Sequence, residues 1–242
     1  MFIKKLLRKM LAKKGYALIK LNASAPPFSM ESAIRAIANR KHAFQTVIDI
    51  GASDGRWSSS LIQVFPNCRY LLIEAQPVHE VALKAFCAAH PNAAYVLAAA
   101  GNAPGQVFFD VSDAFSGQAS FEPYNSHNLV VPMTTIDWEV EALHLPGPFL
   151  LKFDTHGFEM QIIQGASKTL AQTDVIIMEC YNFRLTEQTL LFSEMCEYLL
   201  GLGFRCIDLA DPMHRVHDGS FWQVDLVFVR SDRPEFAYQS YL

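Results

Sequence analysis

The chain has 242 residues, 51% of them hydrophobic, which suffices for one sizeable core and fits a single domain with short additions. The net charge of −4 is unevenly spread: residues 1–20 hold Lys4, Lys5, Arg8, Lys9, Lys13, Lys14 and Lys20 and no acid, leaving 13 of the 20 bases to face all 24 acids, which argues against general nucleic-acid binding by the body. Five cysteines without a Cys-x-x-Cys pair exclude a disulfide framework and imply buried thiols in a reducing compartment, and the lack of a membrane-length or signal-like apolar run makes the expected location cytoplasmic.

In chain order, residues 1–27 form a basic arm and residues 28–242 the domain. Within the arm, Phe2, Ile3, Leu6, Leu7, Met10 and Leu11 share one helical face with the cations opposite. That face fits peripheral contact with an anionic membrane through residues 1–20, and equally packing on its own domain or on a second subunit in a homodimer. Past Pro26 and Pro27, Ser29 is placed to cap a helix whose apolar positions are Met30, Ala33, Ile34, Ile37 and Ala38.

Residues 46–50 then read as a strand, followed by Gly51-Ala-Ser-Asp-Gly55 and a helix from Arg56 to Phe65, with Trp57 assigned to the core. Strand, glycine turn and helix in this order mark a ligand-binding turn, the glycines letting a ligand approach bare backbone. The spacing is G-x-x-x-G, so it lacks the central glycine of a dinucleotide fingerprint, and no phosphate-loop lysine follows. Asp49 and Asp54 suit a cation better than a pyrophosphate, which favours S-adenosylmethionine over NAD. The next strand, Arg69–Ile73, ends in Glu74 at roughly the twenty-residue spacing where an acid meets ribose hydroxyls.

A helix from Pro77 to Ala89 and a strand from Tyr95 to Ala99 continue the alternation, which predicts a parallel sheet with helices on both faces. Residues 107–111 and 128–133 are strand-like. The polar stretch between them, with His127 near its end, has the length of a lid or binding segment. Thr135 and Asp137 read as helix caps. Phe149–Phe153 is another apolar strand whose carboxyl end, Asp154-Thr-His-Gly157, opens onto the same crevice as Gly51 and Glu74. Lys152 and Asp154 leave one face of this strand and are expected to pair.

Val47-Ile-Asp-Ile-Gly-Ala-Ser-Asp-Gly55, Leu72-Ile-Glu-Ala-Gln-Pro77, Val131-Pro-Met-Thr-Thr-Ile-Asp137, Leu151-Lys-Phe-Asp-Thr-His-Gly-Phe-Glu159 through Gly165-Ala166, and Gln223–Val229 resemble, in order and spacing, the FkbM family of S-adenosylmethionine-dependent methyltransferases. The resemblance runs from about Val47 to Arg230. It departs from the family at His156, where an acid is frequent, and at Glu74-Ala-Gln-Pro77 in place of Glu-Pro-x-Pro. It implies a Rossmann-like class I fold: a mostly parallel seven-stranded sheet, helices on both faces, and an antiparallel C-terminal strand.

It also implies O-methylation of a free hydroxyl on a glycan, such as a surface polysaccharide, or on a secondary metabolite. On that reading Gly51, Ala52, Ser53, Asp54 and Gly55 pass under the amino-acid part of the cofactor, and Asp49 orients the loop or the ammonium. Glu74 with Ala75 holds the ribose, and Ala99 flanks the adenine. Asp154 faces the methyl group or acceptor, and His156 is the general base because its unperturbed pKa lies near working pH. Asp154 and Glu179, carboxylates at adjacent strand ends, can converge on a divalent metal, but no metal-ligand spacing supports it and no metal is expected. Two alternatives are an NAD-linked oxidoreductase or epimerase and a non-catalytic cofactor-binding scaffold.

The remainder is expected to complete the sheet: a strand over 174–179, a helix over 186–200, and a closing pair over 204–209 and 222–230. Asp211, His214, His217 and Asp218 between the last two read as a solvated loop. The aromatic tail from Phe236 fits the domain or a partner subunit.

Overall fold

Apart from Asp49, the strand Thr46–Ile50 (β1) has no strongly polar side chain to turn toward water, and all five of its residues are buried, as the centre of a parallel sheet requires. This is seen in a computed structural model that describes residues 7, 9–11, 13–14, 26–124 and 128–240. On one side β1 pairs in parallel with Arg69–Glu74 (β2), which pairs with Ala93–Leu97 (β3). On the other it pairs with Phe149–Phe153 (β8), which pairs with Thr173–Tyr181 (β9). Phe221–Arg230 (β11) and Phe204–His214 (β10) close that side with antiparallel pairings, giving seven strands in the order β10-β11-β9-β8-β1-β2-β3. The chain runs outward from β1 to β3 and then restarts at β8, so the sequence direction reverses between β1 and β8. A crevice opens at such a switch point.

Helices cover both faces. Met30–Asn39 (α1), capped by the Ser29 hydroxyl on Ser32 N at 3.2 Å, packs with Arg56–Ile62 (α2) and Glu80–Ala89 (α3) through Ala33, Ile34, Ile37, Leu61 and Leu83. The opposite face is covered by Ile136–Ala142 (α4), Glu159–Gln164 (α5), Ser167–Leu170 (α6) and Phe192–Gly201 (α7). A second sheet of Ala99–Ala100 (β4), Gly105–Asp110 (β5), Ala119–Ser120 (β6) and Asn128–Thr134 (β7), in the order β4-β7-β5-β6, packs on this face through Val107, Val131 and Met133.

Several boundaries shift by one to three residues from the sequence reading, and three elements differ by more. The strand expected over 95–99 is two strands, because β2 offers no partner beyond Glu74; Ala98 N makes the last bond to Glu74 O and the chain crosses to pair with Met133 and Thr134. The helix expected from Thr186 begins at Phe192, since Thr189 draws the Thr186 amide and hydroxyl to its own oxygen and holds the segment as a turn. β10 runs on to His214 with an irregular register, taking in part of the stretch read as loop. The arm falls largely, and His127 wholly, outside the described residues. Among those residues no helix is long and apolar enough to cross a membrane. All five thiols are free, and burial pushes each of them above its ordinary pKa.

Thr135 caps α4 through Trp138 N, as read, but Asp137 caps a different helix. Its carboxylate accepts from Lys168 N, Thr169 N and Thr169 Oγ1 at 2.7–2.9 Å, pinning the first turn of α6 to α4. Asp137→Ala is expected to lower stability by about 1–2 kcal/mol, read as a drop in the urea midpoint with an unchanged slope.

Candidate active site

The glycine turn after β1 is closed on itself. Gly51 N and Ala52 N both donate to Ile73 O (2.9 and 3.1 Å), Ser53 N to Glu74 Oε2 (2.7 Å) and Gly55 N to Ala52 O (2.8 Å). Gly51 and Gly55 each have φ of +78°, a region that favours glycine. A Cβ on Gly51 would lie 2.1 Å from the Asp154 carbonyl oxygen, so its bare flank serves the close approach of the β8 end rather than of a ligand, a correction to the sequence reading.

Over the carboxyl ends of β1, β2 and β8 lies a cavity of about 250 Å³. Gly51, Ala52, Ser53, Glu74, Ala75 and Ala99 line it on one side and Asp154 and His156 on the other. The other three residues assigned to the cofactor do not line it. Asp49 is 1% exposed and takes the Ser58 hydroxyl at 2.6 Å, tying α2 to β1. Asp54 is held by both ends of the Arg56 guanidinium and caps Arg56 N. Gly55 serves as the N-cap of α2.

The stretch read as a lid supplies a wall through Ala114, Phe115 and Gly117. It is latched by Gln76 Nε2, which donates to Asp113 O and Ala114 O, and by His79 Nε2, 2.7 Å from Ala114 O; Phe115 is stacked over by Arg56 at 4.8 Å. Trp57 belongs to the core and the cavity lining together. Phe109 and Phe158 also line the cavity, and nothing in their local sequence distinguishes them from core residues.

Charge is concentrated behind the Asp154 wall. Lys152, its side chain 3% exposed, lies 3.1 Å from Asp154 and 3.6 Å from Asp225, the first as expected from sequence and the second brought in by β11. Burial opposes its charge, but Asp154, Asp225 and Asp49 outweigh it and hold the ammonium above its ordinary pKa. Burial pushes Asp49 and Asp225 up to about 6, with Lys152 opposing. Glu74 is likewise raised by burial, against the amides of Gln76 and Ser53 that bond to it.

His156 lines the cavity with its Nδ1 2.7 Å from the Tyr181 hydroxyl and 3.4 Å from Glu179. Burial disfavours its charge, yet Glu179, Asp154 and Glu159 raise its pKa overall. Glu159, raised by burial to about 7, holds the loop by accepting from Gly157 N (2.9 Å) and the Thr155 hydroxyl (3.2 Å). One donor atom each of Asp154, His156 and Glu179 lies within 4.8 Å of the others; the two carboxylates meet at adjacent strand ends as the sequence allowed, and His156 joins them.

Residues 49–206, well over half of the chain, match the methyltransferase FkbM domain. The chain belongs to the FkbM methyltransferase family. No curated protein matches the sequence. Solved structures similar to this FkbM methyltransferase include the fibrillarin pre-rRNA processing protein of Methanococcus jannaschii, at 14% identity over 86% of this chain and 77% of that one, with a TM-score of 0.49. Another is the precorrin-6y C5,15-methyltransferase of Geobacter metallireducens, at 14% identity, 86% and 93% coverage and a TM-score of 0.44. A third is the 1,6-didemethyltoxoflavin-N1-methyltransferase of Burkholderia thailandensis, with S-adenosylhomocysteine bound, at 12% identity, 84% and 80% coverage and a TM-score of 0.44. Family membership makes this chain an S-adenosylmethionine-dependent methyltransferase.

Proposed function

We propose that the chain transfers a methyl group from S-adenosylmethionine to a hydroxyl of a glycan, such as a surface polysaccharide, or of a secondary metabolite. The observation that carries the choice of cofactor is the closed glycine turn. The amides of Gly51, Ala52, Ser53 and Gly55 are all spent within the protein, so that part of the turn has no free N–H groups to cradle a pyrophosphate. The walls beside it carry Glu74 and Asp154, which suit a ligand bearing positive charge.

When bound, S-adenosylmethionine supplies an electrophilic methyl group on a sulfonium. Glu74 keeps lone pairs beyond those used by Ser53 N and Gln76 N and accepts from ribose hydroxyls. Ala98, Ala99 and Ala100 leave room for a flat ring. Asp154 faces the acceptor, and His156 takes its proton. The latched loop excludes water from the exchange.

Saturating S-adenosylhomocysteine is expected to raise the melting midpoint by about 5–10 °C while NADH leaves it in place. Glu74→Ala should weaken that binding about tenfold or more, since it removes a charged acceptor from a buried wall. A shift with NADH instead would overturn the cofactor assignment.

A further inference from the structure

Glu179 and Tyr181 are two apart on β9, so both side chains leave the same face of the sheet, and β11 sets Gln223 opposite Tyr181. The hydrogens in this cluster can be followed one by one. The Glu179 carboxylate has none to give: one oxygen accepts from the Tyr181 hydroxyl and the other from the Gln223 amide. The single phenolic hydrogen is therefore spent on Glu179. The Tyr181 oxygen, 2.7 Å from His156 Nδ1, is left as an acceptor, and Nδ1 must carry the hydrogen between them. That leaves Nε2 with a bare lone pair in a ring that lines the cavity.

We infer that Tyr181, Glu179 and Gln223 are positioning residues that fix His156 in the Nδ1–H tautomer, so that Nε2 is the proton acceptor. The inference rests on the methyl-transfer reading and deepens it. As the acceptor oxygen bonds to the methyl carbon, its O–H bond breaks and the proton passes to Nε2, while the carbon–sulfur electron pair stays on sulfur. The products are the methyl ether, S-adenosylhomocysteine and an imidazolium, which afterwards gives its proton to solvent. The charge that appears on the ring is met by Glu179 at 3.4 Å, as it is in other base–orienter pairs. The ionisable groups around the ring are Asp154 and Glu159 from its own segment and Glu179 and Tyr181 from β9; Gln223 on β11 is neutral.

The test is long-range proton–nitrogen NMR on protein labelled with 15N-histidine, with the His156 signals assigned by their loss in His156→Gln. The neutral wild-type ring is expected to be the Nδ1–H tautomer; the Nε2–H tautomer would overturn the inference, and this reading needs no variant of the cluster. In Glu179→Gln the His156 midpoint is expected to move to lower pH, with about a tenfold loss of proton affinity. An unmoved midpoint would also overturn it. Thermal shift with S-adenosylhomocysteine on the same samples separates the two levels. If the wild type gives no shift, the methyl-transfer reading fails whatever the tautomer. If wild type and Glu179→Gln both shift while the tautomer is Nε2–H, only the positioning role fails.

Discussion

Gly51→Ala is expected to remove S-adenosylhomocysteine binding and to destabilise the fold by about 3 kcal/mol or more. Two effects add. The backbone at this residue has φ of +78°, where an alanine is strained, and its Cβ would stand 2.1 Å from the Asp154 carbonyl oxygen. That neighbour is backbone, anchored by Asp154 N donating to Ile50 O at 2.9 Å, and has no rotamer by which to withdraw. Relief requires β1 and β8 to part at the switch point, which displaces Asp154 on one wall and the Ser53–Glu74 bond on the other. Thermal melts with and without ligand check both halves. A variant that melts like the wild type and still shifts with ligand would show that the contact between the two strand ends is not needed.

Lys152→Met should be the other severe change, lowering stability by about 3–5 kcal/mol, or about 10 °C in melting midpoint. The methionine fills similar space, so the loss is electrostatic: Asp49 and Asp225 would stay buried without their cation, and the more exposed Asp154 would lose the same partner. Asp225 Oδ1 already lacks a hydrogen-bond partner and has Lys152 as its nearest counter-charge. The defect should also depend on pH. Asp49 and Asp225 titrate near 6 in the folded chain against an ordinary 3.8, so the folded state binds more protons across that window and loses stability as pH rises through it. Removing Lys152 pushes both carboxyls further up, so the variant should be closer to wild type at about pH 5 than at about pH 8. A defect that does not change with pH would assign the loss to packing instead.

What the sequence made legible was local. Val47–Gly55, Leu71–Glu74 and Leu150–Asp154 carry strand and turn in consecutive residues, and the parallel sheet and its switch point follow from their alternation with helices. The face of a strand was harder to read. β1 is buried on both sides, so nothing in its pattern distinguishes Ile50 at the cavity from Asp49 turned beneath α2. The two-residue strands β4 and β6 have no periodicity to detect and exist only through distant partners. Tyr181, Gln223 and Asp225 join the site through the pairing of β9 with β11, which is a property of sheet order rather than of either segment. Phe115 could be anticipated only as part of a long loop, and its place over the cavity depends on Gln76 and His79 holding that loop down.

The state of the five thiols bears on how such a chain survives its own substrate. A sulfonium methyl donor alkylates soft nucleophiles, and a cysteine attacks as its thiolate. Cys68, Cys87, Cys180, Cys196 and Cys206 are all held toward the protonated form by burial, Cys206 at about 11, and none of them borders the cavity. On the proposed reading, a donor bound in the cavity would meet carboxylates, amides and rings, with no thiol among the lining residues to take its methyl group.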